Sequence, residues 1–249
     1  MPNQNFLNIL DSQLDSHIYR IMKQEYVFKM FADNQNVLSQ PHNWKDKFEN
    51  FLLSSTMTLD GKNTTYGFKN DWIGQCWTSD GFSEAMWGIY ANDSDQRYLR
   101  IRSTPRKLLT GLEAAHPAMP QDTCFLAKVK YKTEKFLKEF VNNNGCLELS
   151  QKRFADSLSL KRRAFRHENE VRLLFLGDSK NYDCKGLYIY SVDPHNMITQ
   201  IMADPNIKPN CWKNEKAKIM LATGFKGEIK RSKTYDPPDW GSATYNSVA

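Results

Sequence analysis

Two acids followed by an apolar run, at residues 165–175 (FRHENEVRLLF), most constrain what this chain can fold into. The run is typical of a core strand, and side chains two residues apart on a strand point to the same face. Glu168 and Glu170 are therefore predicted to project together into a cleft beside a sheet edge. Two same-face acids gain nothing from packing and repel each other, which favours a functional site. The alternative is a solvated strand start, in which either acid pairs with Arg166 or Arg172.

Two earlier segments supply further candidate residues. Residues 16–22 (SHIYRIM) and 73–80 (IGQCWTSD) are predicted as short strands. The first carries Arg20, and the second ends in the hydroxyls of Thr78 and Ser79. With the glutamate strand, the chain offers an arginine, a hydroxyl and a glutamate in that order.

This order resembles the ADP-ribosyltransferases, which use an arginine, a serine or threonine and a glutamate on three core strands to bind and cleave NAD. Glu168-Asn169-Glu170 matches the Glu-x-Glu motif of that superfamily. The resemblance implies an α+β fold, with a split mixed β-sheet core and flanking helices. It also implies that NAD is consumed as a substrate.

From about residue 17 to residue 235, the chain also resembles a widespread, mostly uncharacterised bacterial family. Thr78 stands where serine is usual, which keeps the hydroxyl, and Trp44-Lys45-Asp46 stands where Asn-Asp-Pro is typical. Each motif alone would recur by chance, so their shared order is the evidence. The matching motifs are Tyr19-Arg20, Asp46-Lys47-Phe48-Glu49, Cys76-Trp77-Thr78, Met86-Trp87-Gly88-Ile89-Tyr90, the basic approach at 161–165, and Glu168-Asn169-Glu170-Val171-Arg172.

Length and composition fit one compact enzyme domain over residues 1–249. A chain of 249 residues, 40% hydrophobic and 25% charged, can bury a sizeable core. Strands separated irregularly by helices predict an α+β fold rather than βαβ repeats. No apolar run approaches the ~20 residues of a membrane helix, and the start lacks signal-peptide features. We therefore expect a cytoplasmic protein without membrane contact.

Cysteines and histidines give no sign of a metal site or a disulfide framework. The five histidines include no i, i+4 pair, and no Cys-x-x-Cys pair occurs. There is also no Gly-x-Gly-x-x-Gly and no Walker loop, which argues against Rossmann dehydrogenases and P-loop enzymes. The scattered cysteines are Cys76, Cys124, Cys146, Cys184 and Cys211.

The formal charge of +6 is concentrated in basic clusters, several of which contain an aromatic residue. Basic residues mixed with aromatics can neutralise phosphates and stack unpaired bases. The clusters therefore predict a single-stranded nucleic-acid substrate, RNA or DNA. The alternative is a set of solvated faces. The clusters lie at residues 128–132, 161–166, 213–218 and 226–233.

The resemblance assigns the reacting groups. Cleavage of the bond between nicotinamide and ribose builds positive charge on the ribose, which a carboxylate stabilises. Glu170 is the predicted carboxylate, and Glu168 the predicted general base for the incoming nucleophile. Arg20, next to Tyr19, is assigned to the NAD phosphates or ribose because a guanidinium offers a fixed fork of donors.

The remaining candidates would shape the nicotinamide pocket. Thr78, with Ser79 as second choice, would orient the strand that carries it. Trp87 and Tyr90 offer aromatic surface for stacking. Their alternative is a place in the apolar core, which is the commoner fate of large aromatics on a helix.

We therefore predict an NAD-dependent ADP-ribosyltransferase that uses no metal. It would be a bacterial toxin or phage-defence effector, modifying nucleic-acid bases with RNA favoured, and an antitoxin protein is a possible partner. Three alternatives remain: a protein-modifying ADP-ribosyltransferase, an NAD glycohydrolase, and a non-catalytic basic module that binds nucleic acid.

Hydrophobic spacing and turn residues also predict the elements along the chain. Helices are expected at 5–14, 25–31, 83–90, 105–112, 132–142 and 150–165, and a turn or hairpin at 60–69. Beyond the strands already named, strands are expected at 98–102, 125–131, 186–192, 197–202, 219–222 and 227–230.

Overall fold

The computed structural model describes residues 4–44, 46–59, 62–93, 95–144 and 150–238. The strands are β1 (Phe6–Leu7), β2 (Ile18–Lys23), β3 (Gln35–Ser39), β4 (Met57–Leu59), β5 (Lys62–Thr64), β6 (Trp72–Thr78), β7 (Tyr98–Ser103), β8 (Cys124–Lys128), β9 (Lys130–Lys132), β10 (Leu160–Arg162), β11 (Glu170–Leu176), β12 (Leu187–Ser191), β13 (Gln200–Ala203) and β14 (Glu228–Arg231).

Helices separate many of these strands, and short 3-10 turns fill several connections. The α-helices are α1 (Gln24–Asp33), α2 (Glu84–Tyr90), α3 (Pro105–Ala115), α4 (Glu134–Asn144), α5 (Gln151–Ser157), α6 (Pro194–Met197) and α7 (Trp212–Thr223). In the described ranges, no helix is both long enough and apolar enough to cross a bilayer.

Ten of the described strands form one mixed sheet in the order β1-β8-β11-β6-β2-β7-β13-β14, with β3 paired to β6 and β12 paired to β3. Parallel and antiparallel neighbours both occur, as in β13–β14 and β13–β7. The predicted α+β fold, a split mixed sheet with flanking helices, is confirmed.

The sheet splits between β2 and β6. β2 pairs with β7 along its whole length, but it joins β6 only where Tyr19 lies opposite Thr78. Further along, β6 pairs instead with β3, where Ser39 lies opposite Gly74. The two strands therefore diverge from one bridge, and a cleft opens between them.

β11 is buried on both faces, which explains its nearly continuous apolar sequence. Leu173 and Phe175 belong to one apolar cluster, and Leu174 belongs to the other. Glu170 and Arg172 share the face of Leu174 because strand side chains alternate. The two ionic side chains are therefore neighbours on the face of β11 that carries Leu174.

Most predicted elements are found, including the strands carrying Arg20, Thr78 and Glu170 and the helices near residues 25–31, 83–90, 105–112 and 132–142. The predicted hairpin is present as the pair β4–β5, although its Asp60-Gly61 turn lies outside the described residues. The cysteines described are free, and Cys146 also lies outside the described residues.

Three predictions of secondary structure are wrong. Instead of a helix at 5–14, Phe6–Leu7 adds to the sheet beside β8, and a 3-10 turn follows. The predicted strand at 219–222 is part of α7, which buries Ile219 and leaves Leu221 90% exposed. The helix at 150–165 ends at Ser157, and β10 follows it.

Gly74 allows the close packing of β11 against β6. A Cβ at this position would lie 2.9 Å from the carbonyl oxygen of Leu173 and 3.0 Å from the ring of Trp44. Gly74→Ala is therefore expected to lower the free energy of unfolding by about 1–3 kcal/mol in urea denaturation. The control is Gly88→Ala on α2, where no atom lies within 4 Å. That variant should be as stable as the wild type or slightly more so, and equal effects would contradict the packing argument.

Candidate active site

A cleft of about 680 Å³ opens where β2 and β6 diverge. Clefts of this size are typical of small-molecule sites. Its walls come from both sides of the split, from α2, and from the segments before β11. The residues discussed below that line it are Tyr19, Arg20, Trp44, Asp46, Glu49, Cys76, Thr78, Met86, Ile89, Tyr90, Lys161, Glu168 and Glu170.

Glu170 begins β11 and is only 3% exposed. Arg172 donates to it twice, from Nε to Oε1 and from Nη2 to Oε2, each at 2.9 Å. Lys161 Nζ donates to Oε2 at 3.1 Å, and the Cys76 thiol forms a further hydrogen bond. Burial alone would raise the pKa of Glu170, but Arg172 and then Lys161 lower it to about 2. These donors occupy the roughly four acceptor sites of a carboxylate.

Glu168 lies on a different element from Glu170. It ends the 3-10 helix Arg163–Glu168, and Asn169, in the left-handed region at φ 42°, turns the chain into β11. The prediction that both acids project from one strand is therefore wrong, and so is the solvated alternative, since Glu168 is 6% exposed. The two carboxylates converge because both bind Lys161.

One oxygen of Glu168 remains open. Its Oε2 accepts a hydrogen bond from Lys161 Nζ at 2.5 Å. Within the described residues, its Oε1 has no hydrogen-bond partner. Glu168 borders the cleft and can still accept a hydrogen bond from a ligand. Glu170 cannot, because protein donors already occupy its acceptor sites.

Lys161 occupies the centre of the carboxylates. It is 5% exposed on β10, and its Nζ also lies 2.7 Å from Glu49 Oε1. Its neighbour Arg162 pairs with Asp46 at 2.9 Å. The interpretation of residues 161–166 as a surface cluster for polyanions is therefore wrong for Lys161 and Arg162. Local sequence shows the basic residues but not the acids that long-range packing brings to them.

Glu49 and Trp44 complete the buried cluster. Arg172 Nη2 lies 3.0 Å from Glu49 Oε2, and the guanidinium lies over the Trp44 ring, 4.5 Å from its centre. Burial, and then the neighbouring Glu170 charge, raise the pKa of Glu49 against the opposing effect of Arg172. The site residues predicted from the sequence do not include residues 44–49. The sequence feature that could have identified them is the Asp46-Lys47-Phe48-Glu49 motif. Both of its acids, Asp46 and Glu49, pair with buried or half-buried cations.

Arg20 is a cation in the cleft without a counterion. It lies on β2 inside the split, deep in the cleft but still partly accessible. Burial lowers its pKa, and the groups that oppose this effect are Cys76 and two tyrosines rather than a carboxylate. In the part of the chain that the structure describes, no ion pair or hydrogen bond engages its guanidinium.

The two hydroxyl candidates have different environments. Thr78 is buried where three strands meet, opposite both Tyr19 and Glu170, and its Oγ1 accepts a hydrogen bond from Asp80 N at 3.0 Å. Ser79 does not line the cleft. Its Oγ donates to the carbonyl of Asn169 at 3.0 Å, which fixes the turn between the two glutamates.

The structure also separates the aromatic candidates. Tyr19 and Tyr90 line the cleft, and burial, followed by the charge of Glu168, raises the pKa of Tyr90. Trp87 lies 4% exposed on the opposite side of α2 and does not line this cleft. Of the predicted residues, the structure thus brings together Tyr19, Arg20, Thr78, Tyr90, Glu168 and Glu170, but not Ser79 and Trp87.

The cleft can bind a ligand with separated charges. In the buried cluster, two cations, Lys161 and Arg172, face three carboxylates, so the carboxylates exceed their counterions by one. Arg20 stands apart as an unpaired cation in the same cleft. Among the described side chains, no group of three or more His, Cys, Asp and Glu is arranged to hold a metal ion.

Comparison with known proteins finds only a distant likeness. No model of a known protein family matches the chain, and no curated protein sequence matches it significantly. The solved structure of Thermus sp. 2.9 DarT in complex with ADP-ribosylated ssDNA is similar at a TM-score of 0.39 and 10% identity, over 88% of this chain and 95% of that chain. The complex of the same protein with NAD+ gives 0.38 and 11%, over 88% and 96%.

Glu170→Gln removes a buried charge from Arg172 and Lys161. Loss of one partner from a buried pair is costly, so we expect the free energy of unfolding at pH 7 to fall by about 3 kcal/mol. The pKa of Glu170 is about 2 in the folded protein, below the unfolded value of about 4.3. Its stabilisation is therefore complete above pH ~4.3 and is lost as the pH falls toward ~2. Urea titrations should show the gap between wild type and variant shrinking over that interval.

The matched control is Glu134→Gln, which removes a 58% exposed carboxylate that pairs with Arg162 at 3.4 Å. An exposed pair of this kind contributes little, so stability should change by less than ~1 kcal/mol. A pH-independent gap for Glu170→Gln would show that its charge does not stabilise the fold.

Proposed function

We propose that the protein is an NAD-dependent ADP-ribosyltransferase whose acceptor is a single-stranded nucleic acid. One observation carries the proposal: Arg20, whose guanidinium is unpaired in the described residues, and Glu168, which has one oxygen without a described protein donor, line the same cleft. NAD combines an anionic pyrophosphate with a ribosyl carbon that becomes cationic as nicotinamide leaves. The cleft offers a counter-charge for each of these parts.

Arg20 would bind the pyrophosphate. A guanidinium presents planar donors that match phosphate oxygens, and such charge-assisted hydrogen bonds are stronger than neutral ones. No protein carboxylate has to be displaced first, because none binds Arg20 in the described residues. Tyr19, next to it in sequence, and Tyr90, 41% exposed, supply the aromatic surface for the nicotinamide ring.

Glu168 is the carboxylate that would contact the ribosyl group. The resemblance assigns this task to Glu170, but the acceptor sites of Glu170 are occupied by Arg172, Lys161 and the Cys76 thiol. Glu170 would then act as a fixed negative charge behind the site. The open oxygen of Glu168 is suited to accept a hydrogen bond from a ribose hydroxyl as the cation develops.

The nucleic-acid acceptor is supported by charge. The chain carries +6 overall, and exposed lysines lie on α7 and on the segment after it, including Lys213, Lys216, Lys218, Lys226 and Lys233. Such residues neutralise phosphates and draw a strand to the protein. A role as a toxin or phage-defence effector, an antitoxin partner and the preference for RNA stay predictions.

Arg20→Ala is expected to weaken NAD binding by roughly 10- to 100-fold, since hydrogen bonds to a charged group contribute about 1.5–3 kcal/mol. Arg20→Lys should recover only part of the loss, because an ammonium lacks the planar fork. Calorimetric titration with NAD measures both variants. The control is Arg106→Ala, which removes a half-exposed arginine of α3 that pairs with Asp15. Affinity unchanged in Arg20→Ala would assign Arg20 a structural role.

Glu168→Gln is expected to reduce NAD cleavage by about a hundredfold while leaving the fold more stable than in Glu170→Gln. The assay follows labelled NAD with single-stranded RNA, single-stranded DNA and lysate protein, and measures released nicotinamide and transferred ADP-ribose separately. Loss of transfer alone would instead make Glu168 the general base. Label on lysate protein only would favour the protein-modifying alternative, and nicotinamide release without transfer would favour a glycohydrolase. No NAD cleavage by the wild type would contradict the proposal.

A further inference from the structure

A second cavity, of about 660 Å³, lies on the other side of α2 from the cleft. Helix α2 separates the two, because Trp87 lines the second cavity while Met86, Ile89 and Tyr90 line the cleft. Among the described residues, four cations and three aromatic side chains contribute to its lining, and no acid does. They are Arg100, Lys230, Arg231 and Lys233, with Phe82, Trp87 and Trp212.

Arg100 lies at the wall of this cavity with unused hydrogen-bonding capacity. It is 8% exposed, and its Nη1 donates to the carbonyl of Gly81. Its buried Nε has no hydrogen-bond partner among the described residues, and no carboxylate pairs with the guanidinium there. A buried cation without a counterion is costly unless an anion reaches it.

The other cations lie around the cavity and differ in their partners. Lys230 and Arg231 pair with Glu228 and Asp236. Lys233 is exposed, and no ion pair engages it in the described ranges. Arg100 and Lys233 thus form no ion pair with a described carboxylate, although the charges of Asp80 and Asp236 act on them at longer range. Two such cations are suited to bind a phosphate group.

Phe82 supplies the second component of the site. It follows the β6 strand at the cavity edge and is 95% exposed, the most exposed of the large apolar side chains described. An aromatic ring in water beside cations is the arrangement on which unpaired bases stack in single-strand binding proteins. It gains little from folding, so burial does not explain it.

We infer that the second cavity binds a nucleotide unit of the single-stranded acceptor, with its phosphate facing Arg100 and Lys233 and its base stacked on Phe82. This inference rests on the proposed function and names where the acceptor docks. Tyr19 connects the two sites, since its ring lines the cleft and also carries the Arg100 guanidinium 4.7 Å from its centre. A nucleic-acid strand bound in the second cavity would therefore be separated from the cleft by the Tyr19 ring.

Phe82→Ala and Lys233→Glu test the inference, with Tyr26→Ala and Lys138→Glu as controls. The controls replace an exposed aromatic residue of α1 and an exposed lysine of α4. Anisotropy of a fluorescein-labelled single strand measures affinity as salt is varied. We expect each test variant to bind about tenfold more weakly than its control. Lys233→Glu should also lower the salt slope by about 0.7 per lost phosphate contact. Calorimetric affinity for NAD should stay unchanged in both.

Two outcomes would overturn the inference. Strand affinities equal to those of the controls would show that the second cavity does not hold the acceptor. Adenosine monophosphate should compete with the labelled strand only weakly. If its dissociation constant in this competition equalled that of the strand, the cavity would be a site for a free nucleotide. Failure of the proposed function can be distinguished from failure of this inference. If the wild type did not bind NAD, but both variants bound the strand more weakly than their controls, the docking site would stand and the transferase activity would be rejected.

Discussion

The buried guanidinium of Arg172 connects parts of the chain that are far apart in sequence. It is fully buried, pairs with Glu170 and Glu49, donates from Nη1 to the carbonyl of Leu158 at 2.5 Å and lies over the Trp44 ring. A buried guanidinium without these partners would cost several kcal/mol. The fold is therefore favourable only when the loop before β4, the end of α5 and the start of β11 come together. Formation of the candidate site and formation of the core are the same event.

The split of the sheet decides where ligands can enter. One residue pair, Tyr19 opposite Thr78, joins β2 to β6, and beyond it the strands diverge. The connection from β6 into α2 then leaves a cleft on one side and a cation-lined cavity on the other. Gly81 lies in this connection and packs closely on Tyr19, because a Cβ at Gly81 would lie 2.5 Å from the Tyr19 ring. The cleft and the cavity are therefore separated by little protein at this point. The proposed transfer would need its donor and acceptor sites to lie this close without overlapping.

Glu168 and Glu170 lie one residue apart in one short motif but have different environments. The left-handed Asn169 places the two acids on different elements. Glu170 then faces Arg172 and Lys161 in the interior, and Glu168 lines the cleft with one oxygen that no described protein group donates to. Arg172 and Lys161 hold the carboxylates in place, so little reorganisation would be needed if a cationic group developed in the cleft, as in the proposed reaction.

The sequence by itself determined the strands that carry Arg20, Thr78 and Glu170, the α+β class and most helices, because alternation, capping residues and turns are local signals. It also identified six of the residues that line the cleft, namely Tyr19, Arg20, Thr78, Tyr90, Glu168 and Glu170. Only the tertiary structure decided that Lys161 is a buried partner of acids rather than a surface cation, that Glu49 belongs to the site and that Trp87 lies outside it. It also decided that residues 219–222 form part of a helix. These outcomes depend on contacts across more than a hundred residues, as between Glu49 and Arg172, and no local pattern encodes which charge meets which.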